Sequence, residues 1–277
     1  MMTPRPAAME DVPAIKALWK KVFGDGDPFL TRLFWHWQPG QSVVMAEGET
    51  ILSMLTLLPL TFTAGDGAQT ALPYVYGMAT EPEAQGRGCG HALLQFAREY
   101  VQTRGAAGLC TFPATEELYS FYASAGFQEG FSLWEAEVSR EELPSLKSPF
   151  GRYLRPQEYN ARREAFLRGR PHISYPQEQI IFQNALCRMS GGPPLYGLPG
   201  NNGAVAAMEK GKDIVIVKEL LAPPENAAQA AAEIAAACPA ERYLFRSPSP
   251  LPWGGRRRFG MAQISLPKDS YLGLAFD

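Results

Sequence analysis

The sequence has few cysteines, little net charge and no long apolar run, and each shortage excludes a class of protein. Four of the 277 residues are cysteine, and none forms a CxxC pair, so we expect no zinc site and reduced thiols in the cytoplasm. The formal net charge is −2, which gives no reason to expect a nucleic acid or an anionic membrane as partner. The most apolar run, residues 51–62, is too short to cross a bilayer.

The remaining composition is that of a folded protein with room for two domains. Hydrophobic residues make up 46% of the chain and charged residues 19%, which argues against disorder. Apolar periodicity predicts the order α, α, β, β, β, α, β, α, β for the first half. A similar order begins near residue 151. We therefore predict an α/β (α+β) fold with one architecture used twice, over residues 1–148 and 149–277.

Three glycines and an arginine lie at one predicted strand-to-helix junction. Residues 85–90 read QGRGCG, after the strand YVYGMAT and before the helix 90–105. Glycine-rich backbone leaves N–H groups free to converge, and a helix N-terminus adds partial positive charge, so the junction predicts a phosphate or pyrophosphate site. Arg87 would add a charged contact. The alternative is a tight turn without a ligand.

The second half differs at the matching place. There the sequence reads APPENAAQ, and proline has no N–H to donate. We therefore expect no equivalent anion site in the second half.

Two common nucleotide motifs do not fit the glycine stretch. A P-loop requires Lys-Ser or Lys-Thr after its last glycine, and neither is present. The dinucleotide motif opens a βαβ unit with GxGxxG spacing, whereas Gly86, Gly88 and Gly90 are evenly spaced and follow several strands.

The stretch instead resembles the Q/R-x-x-G-x-G/A signature of the GNAT superfamily of acyl-CoA-dependent acetyltransferases, met by Gln85, Gly88 and Gly90. The strand and proline in MATEPEA also match, as does FYASAGF, in which Tyr122 precedes Gly-Phe. The resemblance covers roughly residues 3–140. The second half resembles a degenerate GNAT domain, as in two-domain Eis-like acetyltransferases, with no room for their sterol-carrier-like domain. This implies tandem GNAT-like domains, each a mostly antiparallel twisted sheet flanked by helices.

The resemblance implies transfer of an acetyl group from acetyl-CoA, as cosubstrate, to a primary amine. It places the pyrophosphate on the loop from Gln85 to Gly90 and the pantetheine along the preceding strand. The N–H of Met78 or Ala79 would polarise the thioester carbonyl. The implied cofactor-binding residues are Met78, Ala79, Thr80, Gln85, Gly86, Arg87, Gly88, Cys89, Gly90 and His91. Glu116 stands where many members have a cofactor-contacting Asn, which puts that contact in doubt.

Proton transfer needs an acid and a base. Tyr122 matches the family's usual general acid, and the alternative for it is a core aromatic. Location makes Glu47, Glu117, Glu135 and His36 candidate bases. A further hypothesis rests on the apolar tail SYLGLAFD, whose burial would carry the carboxylate of Asp277 to the acceptor site. The alternative for this tail is a closing strand of the second sheet.

Two other functions fit the same resemblance. One is a catalytically silent module that binds acyl-CoA, and the other is a tRNA-dependent aminoacyl ligase of the FemABX kind. The intact loop and Tyr122 argue against the first, and the loop with the slightly acidic balance argues against the second. The acceptor stays open between a small amine, an aminoglycoside, a polyamine and a protein N-terminus. A homo-oligomer is possible.

Overall fold

The structure, a computed structural model, describes residues 2–35, 37–199 and 204–276. Its helices are α1 (Val12–Phe23), α2 (Asp27–Leu33), α3 (Cys89–Gln102), α4 (Glu116–Ser124), α5 (Pro156–Leu167), α6 (Gln177–Met189) and α7 (Ala227–Ala237). Its strands are β1 (Met2–Pro6), β2 (Ser42–Glu47), β3 (Thr50–Leu58), β4 (Thr61–Thr63), β5 (Gln69–Ala71), β6 (Tyr74–Thr80), β7 (Cys110–Thr111), β8 (Gln128–Glu129), β9 (Ser132–Ser139), β10 (Arg152–Tyr153), β11 (His172–Ser174), β12 (Tyr196–Gly197), β13 (Val205–Lys210), β14 (Ile214–Leu221), β15 (Arg242–Ser247), β16 (Gly255–Arg258) and β17 (Met261–Ala262).

These elements form two compact units, each discontinuous along the chain. The first unit contains the chain up to Thr61 together with Thr70–Gln128 and Met261–Ser265. The second contains Phe62–Gln69, Glu129–Gly260 and the chain from Leu266 onward. The predicted boundary between domains 1–148 and 149–277 stays a prediction.

The first unit is built on a twisted sheet with the strand order β1-β2-β3-β6-β7-β17-β8. The pairs β1–β2, β2–β3, β3–β6 and β7–β17 are antiparallel, whereas β6 and β7 are parallel and joined through α3. Alternate residues of β2 and β3 pack on opposite faces, since Val43 and Leu55 join the core under α3 and α4 while Val44 and Met54 join the core under α1 and α2. The strand period of two therefore gives the sheet two apolar faces, each covered by helices.

The second unit repeats this order of pairing. Its main sheet runs β10-β12-β13-β14-β15-β9-β16, and β14 and β15 are the parallel pair, joined through α7. The alanine-rich face of α7 packs on the sheet core, where Ala231 and Ile234 are fully buried. In a small additional sheet, β4 lies between β5 and β11.

The predicted fold class is confirmed, and the assignment of strands to sheets does not follow the two predicted halves. The strand FSLWEAEV, from the first half, lies in the second sheet as β9, while β17, from FGMAQISL in the second half, lies in the first. The basic run Arg256–Arg258 belongs to the exposed edge strand β16. Alternation shows which residues form strands, but it does not show which strands pair.

No helix in the described ranges has both the length and the apolar character needed to cross a membrane.

Candidate active site

The glycine loop joins β6 to α3 in the first unit. A short 3-10 turn, Pro82–Ala84, is followed by Gln85, and Gly88 caps α3. Gly86 and Gly88 have φ values of +75° and +78°, in the left-handed region, and a Cβ atom at either position would meet nothing within 4 Å. Glycine is therefore required here by backbone conformation, and the space beside the loop is open.

Four backbone N–H groups without an acceptor in the described chain lie at the start of α3, next to this loop. The N–H of Ala92 donates to the Gly88 carbonyl over 3.1 Å and begins the helical hydrogen bonds. Among the described residues, the N–H groups of Gly88, Cys89, Gly90 and His91 have no acceptor. Unpaired N–H groups at a helix N-terminus bind anions, so the geometry agrees with the predicted phosphate site.

Gly90 allows the first turn of α3 to pack closely on its neighbours. A Cβ atom there would lie 3.0 Å from Met78 Cε and 3.1 Å from Phe121 Cζ. Cys89 is buried, and its Sγ lies 3.6 Å from Met2 Sδ. Cys89 therefore packs inside the loop as a small buried side chain.

Arg87 and His91 lie at the surface of the loop. Arg87 Nη2 is 3.6 Å from Glu47 Oε2, and both side chains are nearly half exposed. His91 Nε2 is 2.7 Å from Ser124 Oγ, and its ring lies edge-on to Phe121. Exposed ion pairs contribute little energy, so Arg87 can turn toward a bound anion at small cost.

The strand before the loop contains a β-bulge. Gly77 and Met78 of β6 lie opposite the single residue Leu55 of β3. Gly77 has a φ of +59°, and a Cβ atom there would lie 1.9 Å from the ring of Trp19. Only glycine satisfies both the conformation and the contact.

The parallel pair β6 and β7 separates soon after it begins. Its one register pair joins Tyr74 and Cys110. Met78, Ala79 and Thr80 follow on the part of β6 that β7 does not pair with in the described chain. An extended chain can therefore lie beside these three residues.

Tyr122 of α4 reaches the same part of β6. Its hydroxyl lies 3.8 Å from Met78 Sδ, and the residue is 7% exposed. Burial raises the pKa of Tyr122 to about 12, against a smaller opposing effect of its hydrogen bond with Thr111. The hydroxyl consequently keeps its proton at neutral pH, as a general acid requires.

The predicted bases have structural partners where they are described. Glu117 lies in the first turn of α4, where a backbone hydrogen bond and then the Thr115 side chain lower its pKa. Glu135 belongs to the second unit, and its Oε2 lies 3.2 Å from Arg246 Nε. His36 and Asp277 fall outside the described residues.

The structure thus brings the predicted cofactor-binding residues and Tyr122 to one corner of the first sheet. The bulge at Gly77, the contact with Trp19 and the hydrogen bond between Tyr122 and Thr111 were not predicted. A glycine inside the strand pattern YVYGMAT was the available signal, because such a glycine commonly marks a bulge or a close backbone approach. Across the described chain, no group of three or more His, Cys, Asp or Glu side chains is arranged to hold a metal ion.

A bulged strand, a separating parallel pair and a glycine loop before a helix thus lie together at this corner. Residues 3–130 match the family model described as "Acetyltransferase (GNAT) domain". The chain therefore carries a GNAT acetyltransferase domain, and the resemblance found in the sequence is confirmed.

Solved structures with the same fold cover nearly the whole chain. A probable N-acyltransferase from Enterococcus faecalis is 15% identical with a TM-score of 0.70, over 95% of this chain and 72% of that one. A GCN5-related N-acetyltransferase from Kribbella flavida is 14% identical with a TM-score of 0.67, over 95% and 71%. Eis1 from Mycobacterium abscessus is 11% identical with a TM-score of 0.65, over 94% and 73%. Among curated proteins no sequence match was found. These identities establish a shared fold only.

Proposed function

We propose that the protein transfers an acetyl group from acetyl-CoA to a primary amine. The observation that carries this proposal is the set of unpaired N–H groups from Gly88 to His91, next to the part of β6 that β7 leaves open. The GNAT match over residues 3–130 supports it.

In this proposal the cofactor follows the backbone of the first unit. Its pyrophosphate binds the loop from Gln85 to Gly90, with Arg87 and His91 at the margin. Its pantetheine arm pairs with Met78–Thr80 in place of a neighbouring strand. The N–H of Met78 or Ala79 then donates to the thioester oxygen and stabilises the negative charge that develops there.

Tyr122 supplies a proton to the leaving group. The amine nitrogen forms a bond to the acetyl carbon, and the bond from that carbon to sulfur breaks. The departing thiolate takes a proton from the Tyr122 hydroxyl, and the proton that the amine nitrogen loses returns to the Tyr122 oxygen at the end of the cycle. The hypothesis that the Asp277 carboxylate reaches the acceptor site stays a prediction.

Calorimetric titration with acetyl-CoA tests the cofactor site. Gly88→Glu places a carboxylate among the four free donors, and we expect it to weaken binding at least about 100-fold. Gly105→Glu is the matched control, because Gly105 also has a positive φ, at +85°, and open space beside it, but lies beyond the opposite end of α3. Both variants strain a positive φ, so they differ only in whether the new carboxylate lies at the proposed anion site.

Three results are distinguishable. Loss of binding in Gly88→Glu alone supports the proposal. Equal loss in both variants would assign the effect to backbone strain. Binding of acetyl-CoA without release of free thiol, over a panel of small amines, polyamines, aminoglycosides and peptides, would favour a silent acyl-CoA-binding module.

A further inference from the structure

A positively charged cleft lies in the second unit and shares no residue with the candidate active site. Its volume is about 510 Å³, and its walls come from β9, β16, the turn after α5, the loop after β15 and residues 268–269. We call it the cationic cleft. Its main lining residues are Trp134, Arg170, Pro248, Arg256, Lys268 and Asp269.

Positive charge exceeds negative charge in this region. A second hollow of about 380 Å³ shares Arg256, Lys268 and Asp269 with the cleft and adds Arg257. The described residues that line the two hollows include five cations, Arg170, Arg256, Arg257, Arg258 and Lys268, against two carboxylates, Glu129 and Asp269. The chain as a whole carries −2, so the excess is local.

The two carboxylates are already paired. Asp269 forms an ion pair with Arg256, and Glu129 forms one with Arg258. Lys268 and Arg170 have no carboxylate partner within the described ranges of the chain. Like charges that face one hollow repel each other, and a bound anion relieves that repulsion.

The turn that carries Lys268 is held in a strained conformation. The Ser270 N–H donates to the Pro267 carbonyl over 3.3 Å, and Asp269 has a φ of +68°, a value that no other non-glycine residue adopts among those described. Glycine would adopt this φ with less strain. The carboxylate of Asp269 is retained at the turn, where it holds the Arg256 guanidinium.

Two arginines in the cleft are held in fixed positions. Arg256 Nη2 donates to Ser132 Oγ over 2.8 Å in addition to its ion pair with Asp269. Arg170 is half-buried, and its Nη1 donates to the Pro248 carbonyl over 2.5 Å. Donors that are already ordered lose little side-chain entropy on binding, which favours a ligand with several acceptor oxygens.

We propose that the cationic cleft binds a small phosphorylated molecule. Its phosphate group contacts Arg170, Arg256 and Lys268, because guanidinium groups match the paired oxygens of phosphate. Its apolar part lies on Trp134 and the neighbouring prolines. The volume is in the range of small-molecule sites. Acetyl transfer needs an anion site at the glycine loop only, so this site extends beyond the proposed function.

Calorimetric titration with phenyl phosphate tests the assignment. We expect Lys268→Gln to weaken binding at least about fivefold and the double variant Arg256→Gln, Lys268→Gln at least about 50-fold. Arg188→Gln is the matched control, because this substitution also removes one positive charge. Arg188 is exposed in the last turn of α6 and lines neither hollow. Lys268 is exposed and has no partner among the described residues, so the single variant is expected to fold.

Several outcomes would overturn the proposal. Absence of binding by the unchanged protein would do so, as would equal affinity in the unchanged protein and the double variant. An equal loss in Arg188→Gln would show a general charge effect. Benzoate binding as tightly as phenyl phosphate would exclude phosphate recognition. Gly88→Glu separates this site from the glycine loop, because the cleft is expected to bind phenyl phosphate in that variant even if acetyl-CoA binding fails.

Discussion

The junctions after β6 and β14 have the same backbone plan and different chemistry. The strand before each junction has one bulge, at Gly77 and Met78 in β6 and at Lys218 in β14. Each strand pairs with its parallel neighbour only before the bulge. After each of the two strands come a short 3-10 turn and then a helix. A strand pair that separates after the bulge is therefore present in both units.

The difference lies in the few residues between strand and helix. The first junction has Gly86 and Gly88 in left-handed conformations, beside free N–H groups. The second has Pro223 and Pro224, which have no N–H. A hollow of about 270 Å³ at the second junction is lined mainly by apolar groups such as Leu198 and Ala222. Both units thus have the opening, and under the proposed function the loop backbone decides whether an anion can bind there.

The two units also differ in what they bury. Apart from Asp11, the buried acidic and basic residues among those described lie in the second unit: Arg163, His172, Lys218, Glu219, Glu233 and Arg246. The first unit buries hydroxyl groups instead, such as those of Ser53 and Thr111. We therefore expect removal of a polar group at the candidate site of the first unit to affect turnover, and removal of a buried polar group in the second unit to affect stability.

The largest expected effect concerns two buried tyrosines. Tyr122→Phe keeps the ring and removes the proton donor, so we expect kcat to fall about 100-fold with acetyl-CoA affinity unchanged. Tyr243→Phe in the second unit breaks hydrogen bonds to the Ala240 N–H and the Cys238 carbonyl. It should cost about 1–3 kcal/mol of stability and leave kcat unchanged. Thiol-release kinetics measure kcat, and denaturant unfolding measures stability, in both variants. An unchanged kcat in Tyr122→Phe would contradict the acid role.

The bulge in β6 gives the second prediction, with a loop glycine as the comparison. Gly77→Ala brings Cβ into the ring of Trp19 and strains a positive φ, so we expect a loss of about 3 kcal/mol in unfolding free energy. Gly86→Ala has a similar φ and open space, so it should lose only about 1 kcal/mol. Urea unfolding compares them. Equal losses would mean that the Trp19 contact does not limit the residue at the bulge.

A partly buried carboxylate of the second unit, Glu164, gives the third prediction. Burial alone would raise the pKa of Glu164, but hydrogen bonds and charges from His172, Arg163 and Ser174 lower it to about 2. A lowered pKa in the folded state stabilises the protein above the unfolded-state pKa of 4.5, and this contribution is lost as the pH falls toward 2. The carboxylate is 35% exposed, so we expect about 1 kcal/mol after allowance for solvent screening.

Glu164→Gln should therefore reduce stability at pH 7 and flatten its decrease between pH 4.5 and 2. Unfolding in urea at several pH values measures this, with the exposed Glu178→Gln as the control. A variant whose stability still fell as steeply as that of the unchanged protein would assign the acid sensitivity to another group.

Sequence patterns predicted the parts of the site that depend on local structure. The run 85–90 identified the loop because glycine, a strand and a helix are all local signals, and the FYASAGF block identified Tyr122. The exchange of β9 and β17 between the two sheets could not be predicted, because strand pairing is set by distant residues. The same holds for the contact of Gly77 with Trp19, which are 58 positions apart in sequence, and for the charge excess around Lys268.

The smallest expected effect tests whether loop chemistry alone separates the two junctions. Pro224→Gly restores one N–H in the second junction and removes a rigid residue, so it should cost about 0.5–1 kcal/mol of stability. One restored donor does not replace the four free N–H groups at the start of α3, and Glu225 adds negative charge to the loop. Calorimetry should therefore still give one acetyl-CoA per chain. A second binding event would show that proline was what prevented anion binding at the second junction. It would also show that such binding does not require the whole glycine loop.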